Sequence, residues 1–549
     1  MNKRCKIAIV GGGAAGFFTA AAIARNCKNT DITVIHDPKI PFVGVGESLG
    51  WFGPLFFNQY LGLNDDAVWL KPSGSTYKYS VALQNWHQED NKPYFMTFPF
   101  NPSYKILYRS IWDSAKDKAY IDHDGEYNLY SMLLHLRAKN LIDKDNFQQY
   151  SNEFFWFCKY NTSAISTEGK WASQLYWGHS YHINSTHIRH IVHKLVGEPN
   201  GVKVLEQRIK KVQLAENGDI DTLLLDSDEE FKADLYIDCS GFQRLLAKNL
   251  PFEFEHCDRF FNNSALVGQH KFKSNDEYHA NTLTCAMNYG WRFSIPCDGR
   301  SGEGYQYNSR IFDNEEKLVE EYYKKTSNTD VEFRKIKWEP GYHKKAFVKN
   351  CITVGLSNGF SDVFDANNFT AAIRHMSKIV DYLKNDNKFS FDWKDEYNEM
   401  VRSGSKQIIL RIQSAFHLAR RNDTEYWRQM KIAARELDTE NRLIEAALSQ
   451  DHRMYPGAVC KTGDPYRLYT NHIFINQALY NQTPLPVERC LLPIDEYTEK
   501  LALEFFYYFK NTYELKARHS QSWAQFYKNN YENMSSNKSE LTICQDFMG

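Results

Sequence analysis

The chain has 549 residues, more than a single hydrophobic core usually serves and enough for two or three joined subdomains. Its 66 basic and 67 acidic side chains leave a formal net charge of −1, which removes any electrostatic case for nucleic acid or an anionic membrane as partner. No window approaches the ~20 apolar residues of a membrane span, and eleven cysteines without CxxC pairs read as reduced thiols, so a cytoplasmic protein is expected.

Residues 6–10 form a short apolar run, followed at once by Gly11-Gly12-Gly13-Ala14-Ala15-Gly16 and an alanine-rich helical pattern. That order is strand, glycine turn, helix. Gly11 permits the tight turn, Gly13 lets a pyrophosphate approach the backbone, and Gly16 lets the helix pack close to the sheet. The N–H groups at the helix start face the phosphates. A second strand is predicted over 32–35, as a βαβ unit requires. Where such a strand usually ends in an acidic residue that binds ribose, this one reads His36-Asp37. Either Asp37 serves one residue late or the adenosine end is held differently.

Gly44-Val45-Gly46-Glu47-Ser48 follows, and residues 51–180 are mixed, with aromatic pieces such as Phe154-Phe155-Trp156-Phe157. A helix capped by Asn184, Ser185 or Thr186 carries His187, His190 and His193. Their i, i+3, i+6 spacing fits a solvated helix face better than a zinc site, and no metal is expected. Two strands are predicted around Asn217-Gly218, a hairpin turn signal. A strand then runs into the turn Asp238-Cys239-Ser240-Gly241. A β-rich stretch includes Trp291-Arg292-Phe293-Ser294-Ile295-Pro296. A third strand, 351–355, runs into Leu356-Ser357-Asn358-Gly359. Beyond about residue 370 the periodicity is helical. Three strand-to-glycine turns should converge at the carboxyl ends of one parallel sheet, where ligands bind. Only the first carries a pyrophosphate fingerprint, so no separate NAD(P)H module is expected.

Taken in order, these motifs resemble the flavin-dependent halogenases, whose familiar members act on tryptophan. The resemblance rests on the glycine turn at Gly11–Gly16 and on Gly44-Val45-Gly46-Glu47-Ser48. It rests also on Lys78 ahead of Asn85-Trp86, and on Asp238-Cys239-Ser240-Gly241-Phe242. The family's WxWxIP signature is matched with Phe293 for the second Trp, and Asp423-Thr424-Glu425-Tyr426-Trp427 completes the set. It implies an α/β fold: a Rossmann-like, flavin monooxygenase-type FAD-binding domain with a β-sheet insertion and a mostly helical C-terminal subdomain. The FAD-binding part is expected over 1–100 and 160–380, and a substrate-covering part over 101–159 and 381–549.

The resemblance also implies an activity. FAD supplied reduced by a separate flavin reductase, with O2, converts a halide ion to hypohalous acid. Lys78 holds or carries the halogen to an electron-rich aromatic small molecule, of indole or phenol type. Asp365, in the place of a family glutamate, is the carboxylate partner, with Asp362 as the next candidate. Asn367 and Asn368 replace a Thr-Gly pair and form the halide site. That change loses the glycine's conformational freedom and suggests bromide or iodide. Gly11, Gly13, Ala14, Ala15, Gly16, Gly44, Gly46, Glu47, Ser48, Ile209, Asp238 and Leu356 are the expected cofactor contacts. Trp291 and Phe293 are the expected barrier between flavin and substrate. The aromatic cluster that grips tryptophan does not carry over to 440–490, which argues against tryptophan itself. A homo-oligomer is expected. Two other readings stay open: an aromatic hydroxylase on the same fold, and a flavin-binding protein without catalysis.

Overall fold

A computed structural model describes residues 4–40, 44–50, 52–97, 126–143, 147–150, 152–165, 179–257, 261–386, 388–441, 487–492 and 494–531. The first strand, β1 (Cys5–Val10), is buried along almost its whole length, as a parallel strand covered on both faces must be. Helix α1 (Ala14–Asn26) starts at the glycine turn and buries Phe17, Phe18 and five of its alanines. β2 (Thr30–His36) returns parallel to β1. The sheet is completed by β3 (Lys203–Glu206), β4 (Leu235–Asp238), β5 (Phe347–Val348) and β6 (Cys351–Thr353), in the order β5-β6-β4-β1-β2-β3. All pairs but β5·β6 are parallel. The three glycine turns therefore do leave neighbouring strands. They are tied together by the Cys239 N–H donating to Val10 O (2.8 Å) and the Val354 N–H donating to Asp238 O (3.0 Å).

A second sheet has seven strands, in the order Arg334–Lys337, Ser264–Lys271, Arg300–Tyr307, Trp291–Cys297, Asn281–Ala286, Ser80–Gln84 and Tyr94–Thr97. A small third sheet joins Glu47–Ser48, Ser180–Ile183 and Thr76–Lys78. It links the Gly44–Ser48 motif physically to Lys78. The predicted hairpin forms, Ile209–Leu214 against Ile220–Leu225, with Gly218 at φ +83°.

Helices α2 (Asn367–Asn385), α3 (Lys394–Leu418) and α4 (Glu425–Asn441) follow, and α5 (Glu496–His519) comes near the end of the described chain. α3 and α4 bury Ile412, Phe416 and Trp427 in one core with Trp86 and Trp291 of the second sheet's side. α5 shares a separate small core with the helix Glu126–Ala138, through Leu133, Leu136, Phe506 and Phe509. Phe154-Phe155-Trp156-Phe157 lie buried in the helix Glu153–Tyr160. Among the described residues no helix is long and apolar enough to cross a membrane. The nine described cysteines form no disulfide with one another, and all but Cys257 are buried.

Candidate active site

A cavity of about 350 Å³ opens at the carboxyl ends of β1, β4 and β6. Its walls include Gly11, Gly13, Ala14 and Ala15 of the first turn, Gly44, Gly46, Glu47 and Ser48, and Ile209 and Leu356. Further along they include Trp291, Phe293, Asp365 and Asn368. One continuous space thus runs from the glycine turn to the turn carrying Asp365.

The glycines have distinct reasons. A Cβ on Gly11, at φ +125°, would lie 2.2 Å from Cys239 O. A Cβ on Gly16 would lie 2.0 Å from Gly11 O, so Gly16 serves close packing against the turn itself rather than against the sheet. A Cβ on Gly13 would meet nothing within 4 Å, because the space in front of it is cavity. Three buried polar atoms on the wall, His36 Nδ1, Ser185 Oγ and Trp291 Nε1, have no hydrogen-bond partner among the described residues. An open glycine cradle at a helix N-terminus together with orphaned polar wall atoms fits a large polar cofactor such as FAD. His36 and Asp37 both line this wall. Asp37 Oδ1 already accepts the Lys39 N–H at 2.9 Å.

Two expected cofactor contacts lie elsewhere. Gly16 sits one turn behind the wall, for the reason just given. Asp238 is fully buried, and its carboxylate is taken up by the N–H groups of Ser240, Leu246 and Ala247 and by Ser240 Oγ. It builds its own turn and does not reach the cavity. Glu47 is on the wall, where burial pushes its carboxyl up to about 7.

Lys78 is 1% exposed and ends the strand Thr76–Lys78. Its Nζ donates to Leu49 O at 2.9 Å, one residue past the Gly44–Ser48 motif. Burial pulls the amine down to about 8, and the charge of Asp365 partly opposes that shift. Beside it on the small sheet His182 is fully buried and held neutral; burial, with the Lys78 charge adding to it, lowers its pKa well below the usual value. His182 Nε2 meets Thr282 Oγ1 at 2.8 Å, and Thr282 meets Ser48 Oγ at 2.7 Å.

Asp365 and Ala366 both adopt left-handed backbone, φ 62° and 57°. Neither is glycine, and such strain gathers at functional turns. The loss of glycine at 367–368 is thus no loss there: Asn367 has helical φ −59° and, with Asn368, begins α2. The left-handed residues come just before. Asn367 is buried off the cavity wall, whereas Asn368 is on it and donates from Nδ2 to Asp362 O.

Asp365 Oδ2 accepts from Arg411 Nε at 3.0 Å, and no motif pointed to that arginine. Asp362 is fully buried, accepting from Phe364 N–H and Asn262 Nδ2, both at 3.0 Å. Desolvation pushes it up to about 7. Tyr426 of the 423–427 motif donates to Asn262 Oδ1 at 3.0 Å, so that motif braces Asp362.

The barrier residues are held by register. Phe293 pairs with Gly304, where a Cβ would come 2.1 Å from the Phe293 ring. Trp291 packs on Trp86 and Phe364, ring centroids 6.3 and 5.9 Å apart. Asn184 holds the N-cap position of the helix Ser185–Val192, but its side chain caps nothing. Of the three histidines there, His187 and His190 are exposed, and His190 and His193 lie against the Phe17 ring. Among the described residues no cluster has the makings of a metal site.

The sequence model of the family described as tryptophan halogenase matches residues 6–464. The chain belongs to the tryptophan halogenase family. Family membership makes it a flavin-dependent halogenase, an enzyme that works with FAD supplied reduced by a separate flavin reductase, O2 and a halide ion. It is 26% identical over 452 residues to tryptophan 7-halogenase RebH of Lentzea aerocolonigenes, covering 78% of this chain and 79% of that one. In fold it is similar to the tryptophan 6-halogenase SttH of Streptomyces toxytricini, with TM-score 0.80 and 20% identity. That match covers 96% of this chain and all of that one. It is similar also to BrvH, a flavin-dependent halogenase from Brevundimonas sp. BAL3, with TM-score 0.75 and 21% identity over 96% and 99% of the two chains. The 440–490 region, where tryptophan recognition was not found, lies almost wholly outside the described residues.

Proposed function

We propose that this halogenase acts on an indole- or phenol-type small molecule, with Lys78 carrying the halogen and Asp365 assisting. The observation that carries the proposal is the burial of Lys78, which lowers its amine's pKa, together with the opposing charge of Asp365, a residue on the cavity wall. Bound reduced FAD supplies hypohalous acid from O2 and halide. Gly11, Gly13, Ala14, Ala15, Gly44, Gly46, Glu47, Ser48, Ile209 and Leu356 would hold that cofactor.

The neutral amine of Lys78 has a lone pair for the halogen. An N–halogen bond forms as the halogen–oxygen bond breaks, and the departing hydroxide takes the amine proton as water. A ring carbon of the substrate then takes the halogen as the nitrogen–halogen bond breaks, and the ring proton, relayed by Asp365, returns to the nitrogen to restore the amine. Asp365 stabilises the cationic ring and accepts its proton; its Oδ1 carries no hydrogen bond among the described residues. Trp291 and Phe293 keep the ring away from the flavin. Asn367 and Asn368, at the start of α2, offer N–H groups to the halide. Bromide or iodide suits this site, since larger ions lose less hydration on entering it.

The small core joining Glu126–Ala138 to α5 supports a substrate-covering part made of 101–159 and 381–549, set over an FAD-binding part of 1–100 and 160–380. The test supplies reduced FAD and each halide in turn to a panel of indoles and phenols, with products read by mass spectrometry. A monohalogenated product that requires halide is expected. Hydroxylated product formed equally without halide would overturn the proposal.

A further inference from the structure

Arg411 sits in the middle of α3 with none of its surface exposed. A guanidinium so far from water is retained only where charge, hydrogen bonds and a ring face replace its hydration. All three are present. Nε donates to Asp365 Oδ2 at 3.0 Å, Nη1 to Ser414 Oγ at 3.4 Å, and Nη2 approaches Met96 Sδ at 3.8 Å. The guanidinium carbon lies 5.1 Å from the centre of the Phe364 ring. Its carboxylate partner stands on the strained turn, where Asp365 and Ala366 are both left-handed. The buried cation and the strained turn meet at one carboxylate oxygen.

We infer that Arg411 is a positioning residue of the halogenation site: it pins the turn, occupies Asp365 Oδ2, and so limits how strongly Asp365 holds Lys78 as an ammonium ion. The inference rests on Lys78 being the halogen carrier. Asp365 raises that amine's pKa by its charge, Arg411 stands behind Asp365, and His182, on the adjacent strand of the small sheet, is kept neutral by its burial. A carboxylate shared with a permanent cation stabilises an ammonium less than an undivided one. Lys78 therefore yields its proton nearer to neutral pH, and only the deprotonated amine has a lone pair with which to accept halogen. A lysine in the place of Arg411 would keep the charge but lose the fork; a glutamine would keep a donor but lose the charge.

The experiment labels lysines at Cε and Nζ in the full-length enzyme with oxidised FAD and follows Lys78 by NMR across pH, with assignment from Lys78→Met. Arg411→Met should raise the Lys78 midpoint by about one pH unit or more, and should move the rising limb of the halogenation rate by the same amount. Arg411→Lys should restore most of the wild-type position. Arg411→Gln, milder to the fold, carries the same expected rise if Arg411→Met does not fold. A Lys78 midpoint unmoved in both neutral variants, with only thermal stability lowered, would make Arg411 a structural prop and overturn the inference. Because the midpoint is read without halide, substrate or turnover, that result is distinct from failure of the Lys78 proposal itself, which would appear as halogenation surviving in Lys78→Met.

Discussion

The two ends of the cavity are built from opposite materials. At the carboxyl ends of β1, β4 and β6 the wall is backbone: glycines without side chains, a helix start and carbonyls in close contact. At the Asp365 end it is charge: Asp365 stands on the wall, with the buried Lys78 and Arg411 off it and Asp362, Asn262 and Tyr426 as braces. The first end tolerates no added atoms at Gly11 and Gly16, and the second no lost partner. The two kinds of damage should therefore be separable by experiment.

The largest effect is expected from Gly11→Ala and Gly16→Ala, which drive a Cβ to about 2 Å from backbone oxygen. Each should cost more than about 4 kcal/mol, seen as loss of a cooperative thermal transition. Gly13→Ala meets open space, so it should melt like the wild type while FAD binding weakens at least about tenfold, about 1.4 kcal/mol. If Gly13→Ala melts as badly as Gly11→Ala, the backbone end is scaffold and not a cradle.

At the charged end, Asp365→Asn should lower the halogenation rate about a hundredfold or more, the loss of ~2.7–4 kcal/mol typical of one stabilising group. It should also destabilise the fold by ~3–5 kcal/mol, since it strands a buried guanidinium. Oxidation of reduced FAD by O2 should continue. Asp365→Glu should be the mildest change on activity. Full activity in Asp365→Asn would move the search to Asp362.

A smaller effect belongs to the halide turn. Replacing Asn367-Asn368 by Thr-Gly removes the Asn368 brace on Asp362 O and should shift relative rates severalfold toward chloride in halide competition. An unchanged preference would place halide selection elsewhere.

The smallest effect lies off the cavity wall. Burial alone would lower the pKa of His270, but hydrogen bonds to Glu277 (2.7 Å) and Asp330 (2.9 Å) outweigh it and the net shift is upward. A raised folded-state pKa stabilises below the unfolded value near 6.5 and loses that contribution as pH rises through the folded value. Both carboxylates are partly exposed, so the gain is held to under about 1 kcal/mol. Chemical denaturation of His270→Gln should fall short of wild type at pH 5.5 and converge with it by pH 8.5.

What was legible in the sequence follows the same division. Turns that need glycine announce themselves locally, so Gly11–Gly16, the 238–241 turn and the order of the motifs pointed to the right fold and to one cavity. Asp238 misled because a carboxylate in a cofactor motif looks the same whether it faces ligand or folds back on its own turn. Arg411 was invisible because its partner is 46 residues away and α3 offers no spacing signal for one buried cation. The left-handed pair at Asp365-Ala366 was hidden for a similar reason: neither residue type demands that backbone, and tertiary contacts impose it.

The central claim is that Lys78 carries the halogen from the flavin end of the cavity to the aromatic ring. The most direct measurement is a single turnover of Lys78→Met with a stoichiometric amount of reduced FAD, O2, bromide and an accepted indole or phenol, counting halogenated product per flavin oxidised. The account predicts wild-type flavin oxidation with product no greater than free hypobromous acid gives in solution. Product at the wild-type yield and regiochemistry would contradict it.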